Sequence, residues 1–481
     1  MIASKYRFAA LACLPWLLTA CATRQPPQSV DARMPPQWQL PLPALTTALP
    51  HNGALTDMTQ WWRRQGDPLL SGLIESAQTV SPTVAEAKSR IEQSRAARVA
   101  AGASLTPALN GTASASRNSA QPPLPINTVA QGALQPSWEI DVFGAGRYNR
   151  DAAQARFEGA QAGWHEARVA VAAEVANQYY SLRACERQLG IIRSDVASRT
   201  ETARLTELSA AAGFQAPATA ALALASAAEG RSRANEQQAQ CNVDVKALVA
   251  LTAQPEPAMR EKLAAPNLPL SPAIAIPVAS VPARVLAQRP DIFNAEREVA
   301  AASAEVGNRQ ALRYPRLTMS GSIGLATFRT GGITTDLSTW SIGPLALTVP
   351  LFDGGQREAN VDAAQARYQE AASRYRALAR QAVREVEEAL VRLDSIARRT
   401  PDANAAVEGY RQSLAAIEAR YANGFASLIE LEEVRRTRLA AETALATLER
   451  ERAAAWIGLY RAVGGGWNSN QIDRQATAQT Q

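Results

Sequence analysis

Four cysteines and two histidines are the side chains of this 481-residue chain best suited to bind a metal, act as a nucleophile or cross-link. His51 and His165 stand apart from any cluster of carboxylates or cysteines, which argues against a metal centre and reads both as surface or loop residues. No GxxxxGK[ST] phosphate loop occurs, and Gly144-x-Gly146 lacks the rest of a dinucleotide fingerprint. Turn chemistry accounts for those glycines and for Asp353-Gly354-Gly355. Nothing forms a catalytic constellation, so the expectation is no enzyme, no cofactor and no metal. What remains is cross-linking. Cys185 and Cys241 are equidistant in sequence from Gly213, so they stand at equal height on a helical hairpin that turns there. Both sit on apolar stripes, with Leu182, Leu189 and Ile192 beside the first and Val245 and Leu248 beside the second. In an oxidising compartment they are candidates for a disulfide.

The N-terminus points to such a compartment. Lys5 and Arg7 precede an apolar run from Phe8 to Ala20 that is too short to span a bilayer, the pattern of a secretory signal. Leu18-Thr19-Ala20-Cys21 resembles the lipobox of bacterial lipoproteins, which makes Cys21 the lipidated first residue of the mature chain. Alanine rather than aspartate at position 22 fits sorting to an outer membrane. No later apolar stretch is long enough for a membrane-spanning helix.

The elements that must position these residues come in two copies. Ala152 to Phe157 reads AAQARF and Ala363 to Tyr368 reads AAQARY. At the same offset, about 211 residues, Glu174-Val175 matches Glu385-Val386 and Gly213-Phe214 matches Gly424-Phe425. Arginine far exceeds lysine in a chain of net charge +6, but arginine and glutamate alternate along Arg384 to Arg399 and Arg435 to Arg452. That pattern reads as solvated helix faces with i, i+4 pairing rather than as a nucleic-acid patch.

Each copy opens with a helix and then changes period. Asn110, Thr112, Ser114 and Ser116 share one face of a strand, Trp138, Ile140 and Val142 another. In the second copy Leu317, Met319, Ile323 and Leu325 oppose Thr318, Ser320 and Ser322, and Leu345, Leu347, Val349 and Leu351 continue the alternation. Each copy thus holds a hairpin of strands about ten residues long, the length of a tilted membrane-spanning strand. The hairpin loops read as long and polar, about 118–131 and 329–338. Four strands cannot close a barrel and open edges are not tolerated in lipid, so either the sheet is soluble or several chains pool their strands. Two chains would supply eight strands and three would supply twelve; strand number does not choose. Proline-poor runs follow each hairpin for roughly 100 Å of helix and end at Gly213 and Gly424.

The resulting division is a signal at 1–20, an N-terminal extension at 21–81, a first repeat at 82–251, a proline-rich linker at 252–282, a second repeat at 283–463 and a tail at 464–481. Within the repeats the hairpins occupy 106–143 and 315–352, the long helices 147–212 and 357–423, and the return helices 217–251 and 427–463. The fold class is mixed α and β, mainly helical and internally duplicated. Shorter helices stacked end to end beside the long ones would form a hollow cylinder with its waist at the linker.

The order and spacing of Trp61-Trp62, Asp67-Pro68-Leu69, Arg289-Pro290-Asp291-Ile292, Tyr314-Pro315-Arg316-Leu317, Val349-Pro350-Leu351-Phe352-Asp353-Gly354-Gly355 and Tyr421-x-x-Gly424-x-x-Ser427 resemble the outer membrane factor family of TolC-like efflux proteins, in its OprM-type and NodT lipoprotein branch. The resemblance implies a homotrimer, with a twelve-stranded β-barrel in the outer membrane and an α-helical barrel through the periplasm. It implies an exit duct of a tripartite pump for drugs or other small toxic compounds, with a periplasmic adapter and an inner-membrane transporter of the RND type as partners. The tips carrying Gly213, Phe214, Gly424, Phe425 and Ser427 would dock the adapter. Tyr421, Glu430 and Glu433 are the implied pore constriction, two carboxylates that would form rings in a trimer. The other reading of these carboxylates is as surface groups, Glu433 pairing with Arg436. Thr219 stands where the first copy would carry a tip carboxylate, and Ala426 replaces an arginine of relatives, which leaves a salt-bridge lock unsupported. A duct for type I protein secretion and a periplasmic adapter protein are the alternatives.

Overall fold

The computed structural model describes residues 25–32, 35, 37–39, 61–64, 66–119, 125–264 and 289–467. The signal, Cys21, His51, most of the proline-rich linker with the waist placed there, and the C-terminal tail beyond 467 lie outside the described residues. The chain divides into two compact units, one drawn from 1–32, 89–161 and 294–378, the other from 33–88, 162–293 and 379–481.

In chain order the elements are α1 (Trp61–Arg64), α2 (Pro68–Val80), α3 (Pro82–Ala103), β1 (Ala108–Asn118), β2 (Asn127–Ile140), α4 (Ala145–Ala211), α5 (Pro217–Thr252), α6 (Glu256–Leu263), α7 (Pro290–Ala311), β3 (Arg316–Thr330), β4 (Ile333–Thr348), α8 (Gln356–Ala422) and α9 (Leu428–Ala462). The linker is not irregular from its start, because α6 occupies Glu256–Leu263 and buries Met259 and Leu263.

The first unit holds one antiparallel sheet in the order β1-β2-β3-β4. β2 begins at Asn127, earlier than the prolines of the preceding segment indicate, and pairs along the whole of β1. Nor is the second connection a long polar loop. Thr330 pairs with Ile333, leaving Gly331 and Gly332 as a two-residue turn with φ of 59° and 87°. Positive φ at both central residues matches the twist of flanking strands and favours glycine. The short alternation Thr334, Thr335, Asp336 reads as loop by composition, yet it is strand because its partners on β3 are in place.

Both long helices are 67 residues, about 100 Å each. Their starts are built alike. Asp141 accepts from the amides of Gly146 (3.1 Å) and Arg147 (2.9 Å), and Asp353 accepts from those of Gly355 (3.1 Å) and Arg357 (3.2 Å). A carboxylate on free amides at a helix N-terminus is favourable both as a hydrogen bond and against the helix dipole. The Asp-Gly segments are therefore helix starts, and the arginine that follows each returns an ion pair to its aspartate.

The core of the second unit gathers Trp61, Trp62, Leu70, Leu73, Tyr179, Leu182, Leu248, Ile457 and Tyr460. Trp61 stacks on Tyr460 at 5.2 Å. Asp67 caps α2 through the Leu70 amide (3.0 Å) and takes a 2.6 Å hydrogen bond from the Tyr179 hydroxyl. Arg289 donates to Asp291 (2.7 Å), Glu385 (2.8 Å) and the Ala462 carbonyl (2.9 Å), tying the start of α7 to α8 and α9. His165 is not a surface or loop residue. It lies within α4, half-buried, with its ring 4.9 Å from Trp164, and burial followed by the nearby Arg168 lowers its pKa to about 4.

Candidate functional site: the sheet faces and the hairpin tips

One face of the sheet is apolar from edge to edge. Register places Leu109 beside Pro136, Leu134 beside Ile323, Trp138 beside Met319 and Ile140 beside Leu317. Across β3 and β4 the alternation predicts a break, because Trp340 and Ile342 are even-numbered and Leu345 and Leu347 odd. The pairing shows why there is none. Ile323 faces Trp340 and Gly321 faces Ile342, whereas Met319 faces Leu345 and Leu317 faces Leu347, with a register shift between. The extra residue lies at Gly343-Pro344, and such a bulge exchanges the two faces of a strand. Trp340 (74% exposed) and Ile342 (87%) thereby join the same face as Leu345 and Leu347. The opposite face carries Asn110, Thr112, Ser114, Gln131, Gln135, Thr318, Ser322 and Thr339. Apolar outward and polar inward is the pattern of a barrel wall in lipid. Among the described residues β1 pairs with β2 alone and β4 with β3 alone, so both sheet edges are open. No helix among the described residues is long and apolar enough to cross a membrane.

The tips are two copies of one turn. Gly213 and Gly424 have φ of 81° and 79°. The Phe214 amide bonds back to the Ser209 carbonyl (2.9 Å) and the Phe425 amide to that of Arg420 (2.8 Å). Six-to-one bonding past a left-handed glycine is a Schellman cap. It leaves Phe214 85% and Phe425 74% exposed. Arg420 also donates to the Phe425 carbonyl at 2.9 Å, so an arginine does steady the second turn although Ala426 does not supply it.

Beyond the turns the copies differ. Ser427 caps α9 in a capping box: its side chain accepts from the Glu430 amide (3.2 Å), and Glu430 accepts from the Ser427 amide (2.7 Å) and hydroxyl (2.9 Å). These bonds, the backbone one first, hold the exposed Glu430 carboxyl below its ordinary pKa. In the first copy Ala216 stands at the cap and Pro217 at the first helical position. Ala216 has no side-chain oxygen to accept from the Thr219 amide, so no capping box forms in the first copy. Glu433 is paired with Arg436 at 2.7 Å, which lowers its pKa. Tyr421 is half-buried among Leu414, Leu428 and Leu431, its hydroxyl 3.1 Å from that of Thr206.

Above the tip lies an arrangement that the sequence pattern conceals. Arg199 on α4 pairs with Asp195 (2.7 Å), Ser226 of α5 and Glu432 of α9. Arg435 on α9 pairs with Glu432 (3.1 Å) and donates to Ser198 (2.8 Å) and Thr202 (2.9 Å) of α4. Arg435 is 3% exposed and Asp195 1%. The stretch beginning at Arg435 is thus not a solvated face throughout; Arg435, Leu439, Glu442 and Ala446, at every third or fourth position, are buried. Cys185 and Cys241 are joined between α4 and α5, with Cα atoms 5.6 Å apart.

An internally duplicated, mainly helical chain with one four-stranded sheet, apolar on one face and open at both edges, defines a class: subunits of a membrane β-barrel that also carry long helical hairpins. The chain belongs to the outer membrane efflux protein family, whose family model matches residues 73–254 and 281–465, and it is an outer-membrane efflux channel component. It is 28% identical over 485 residues to the pyoverdine export outer membrane protein OpmQ of Pseudomonas aeruginosa, covering 97% of each chain. It is 28% identical over 440 residues to nodulation protein T of Rhizobium leguminosarum bv. trifolii, covering 90% of this chain and 93% of that one. The solved structure of the outer membrane protein VceC of Vibrio cholerae aligns with a TM-score of 0.74 at 27% identity, over 85% of this chain and 99% of the other.

Proposed function

We propose that three copies of this chain pool their strands into a twelve-stranded barrel and act as the passive exit duct of a tripartite pump. The observation that carries this reading is the sheet with one apolar face and two open edges, which is stable in lipid only if other strands complete it. The duct passes small compounds received from an inner-membrane transporter of the RND type through a periplasmic adapter. OpmQ, named for pyoverdine export, supports small molecules as cargo. The exposed Phe214 and Phe425 at the tips are the docking points for the adapter, apolar side chains presented on rigid turns with Ser427 holding the following helix. Tyr421, Glu430 and Glu433 form the constriction, where Glu430 is the stronger member because Arg436 already neutralises Glu433.

Cys21 is the lipid anchor. The chain just after it runs along α7 and α8, where Ser303 donates to the Pro26 carbonyl and Tyr368 to that of Pro27 (3.0 Å). The reading is tested in cells lacking this gene that are scored for retention of efflux dyes. The native chain should restore efflux. Leu345→Arg, a charge on the lipid face costing about 2–4 kcal/mol, should not. Full efflux by Leu345→Arg would contradict the assignment of that face to lipid.

A further inference from the structure

α2 and α4 each turn one stripe of side chains toward a shared cavity of about 320 Å³. Ser71, Ile74, Glu75 and Gln78 line it from α2, and His165, Arg168, Val169 and Ala172 line it from α4. Both sets fall at i, i+3, i+4 and i+7, the spacing of a single helix face. Gln78 ties the two helices together: its amide donates to the Arg168 carbonyl (2.9 Å) and its side-chain oxygen accepts from Arg168 Nε (3.2 Å). Trp62 of α1, Tyr460 of α9 and Trp467 complete the wall, and all three are buried. Every lining residue belongs to the second compact unit, so the cavity needs no second copy of the chain.

The charges in this wall do not cancel. Arg63 and Glu75 neutralise each other at 2.8 Å. His165 is a neutral imidazole at pH 7, because burial and the nearby Arg168 hold its pKa at about 4. Arg168 keeps its charge: it lies over the Trp164 ring at 4.9 Å and bonds to Gln78, and among the described residues no carboxylate pairs with it. The indole N–H of Trp467, buried in the same wall, has no acceptor among the described residues. We propose that the cavity binds a small aromatic carboxylate, its ring among Trp62, Tyr460 and Trp467 and its carboxylate on Arg168. Apolar and aromatic walls with a few polar groups that fix orientation are the usual form of a small-molecule site, and the volume, at the small end of such sites, suits one or two rings. A carboxylate supplies the missing counter-charge and makes the stronger, charge-assisted kind of hydrogen bond to a guanidinium.

The test is isothermal titration of the full-length protein in lipid nanodiscs, with empty nanodiscs subtracted, using 2-naphthoate and its uncharged counterpart 2-naphthylmethanol. The native protein should bind 2-naphthoate saturably and the alcohol about tenfold more weakly. Arg168→Gln should remove the preference for the acid while leaving binding of the alcohol. Ser71→Phe, which fills the cavity from α2, should abolish binding of both, and Val169→Phe fills it from α4 should the first variant perturb folding. No saturable binding by the native protein overturns the proposal, as does native-like binding by both filled variants. A preference for the acid that survives Arg168→Gln overturns the placement of the carboxylate.

Discussion

Arg435 is buried and Glu432 half-buried between α4 and α9, and Arg199 pairs with the same carboxylate. Removing one partner of a buried pair leaves an uncompensated charge and costs about 3–5 kcal/mol. Arg435→Met should therefore lower stability toward the low end of that range in denaturant unfolding, because Arg199 still compensates Glu432. His165 carries a different kind of coupling. Its pKa is lowered from 6.5 to about 4 in the fold, so between those values the unfolded chain takes up a proton that the folded chain refuses. The contribution is complete above about pH 6.5 and is lost as pH falls toward 4, with a magnitude of about 1–3 kcal/mol. Melting temperatures of His165→Gln, compared with the native protein from pH 7 to 4, should show a flatter profile.

At the scale of elements, the bulge at Gly343-Pro344 keeps one face apolar along β4. Deleting Gly343 should put Trp340 and Ile342 on the polar face, and membrane insertion followed by protease protection should fall to background; normal insertion would show that register is not what holds the lipid face. The Cys185–Cys241 bridge closes a loop of separation 56 between α4 and α5. Loops of that size stabilise by about 2–4 kcal/mol. Cys185→Ser should lower the unfolding midpoint accordingly, and non-reduced tryptic peptides of the native protein should show the linked pair by mass spectrometry. Much at this scale was legible in the sequence. Proline-poor runs ending at glycines marked the long helices, and equal spacing about Gly213 singled out the cysteines. The bulge was not legible, because a face exchange looks like a break in alternation until the partner strand is known. Glycine pairs at 331–332 were masked by polar neighbours that composition assigns to a loop. The buried lattice was hidden for a related reason: arginine and glutamate at helical spacing look alike whether they face water or another helix.

At the scale of the molecule, duplication supplies two hairpins of strand and two of helix, and the copies diverge where they meet different neighbours. Arg435 against Leu224 and Ser427 against Ala216 are such divergences, the first at a seam and the second at a cap. Among the described residues such a chain leaves two sheet edges open. The central claim is that copies of the chain complete one another around a common pore. Native mass spectrometry of the protein extracted from outer membranes tests it most directly. The account predicts a particle of three chains; a monomer, or a particle of two chains, would contradict it.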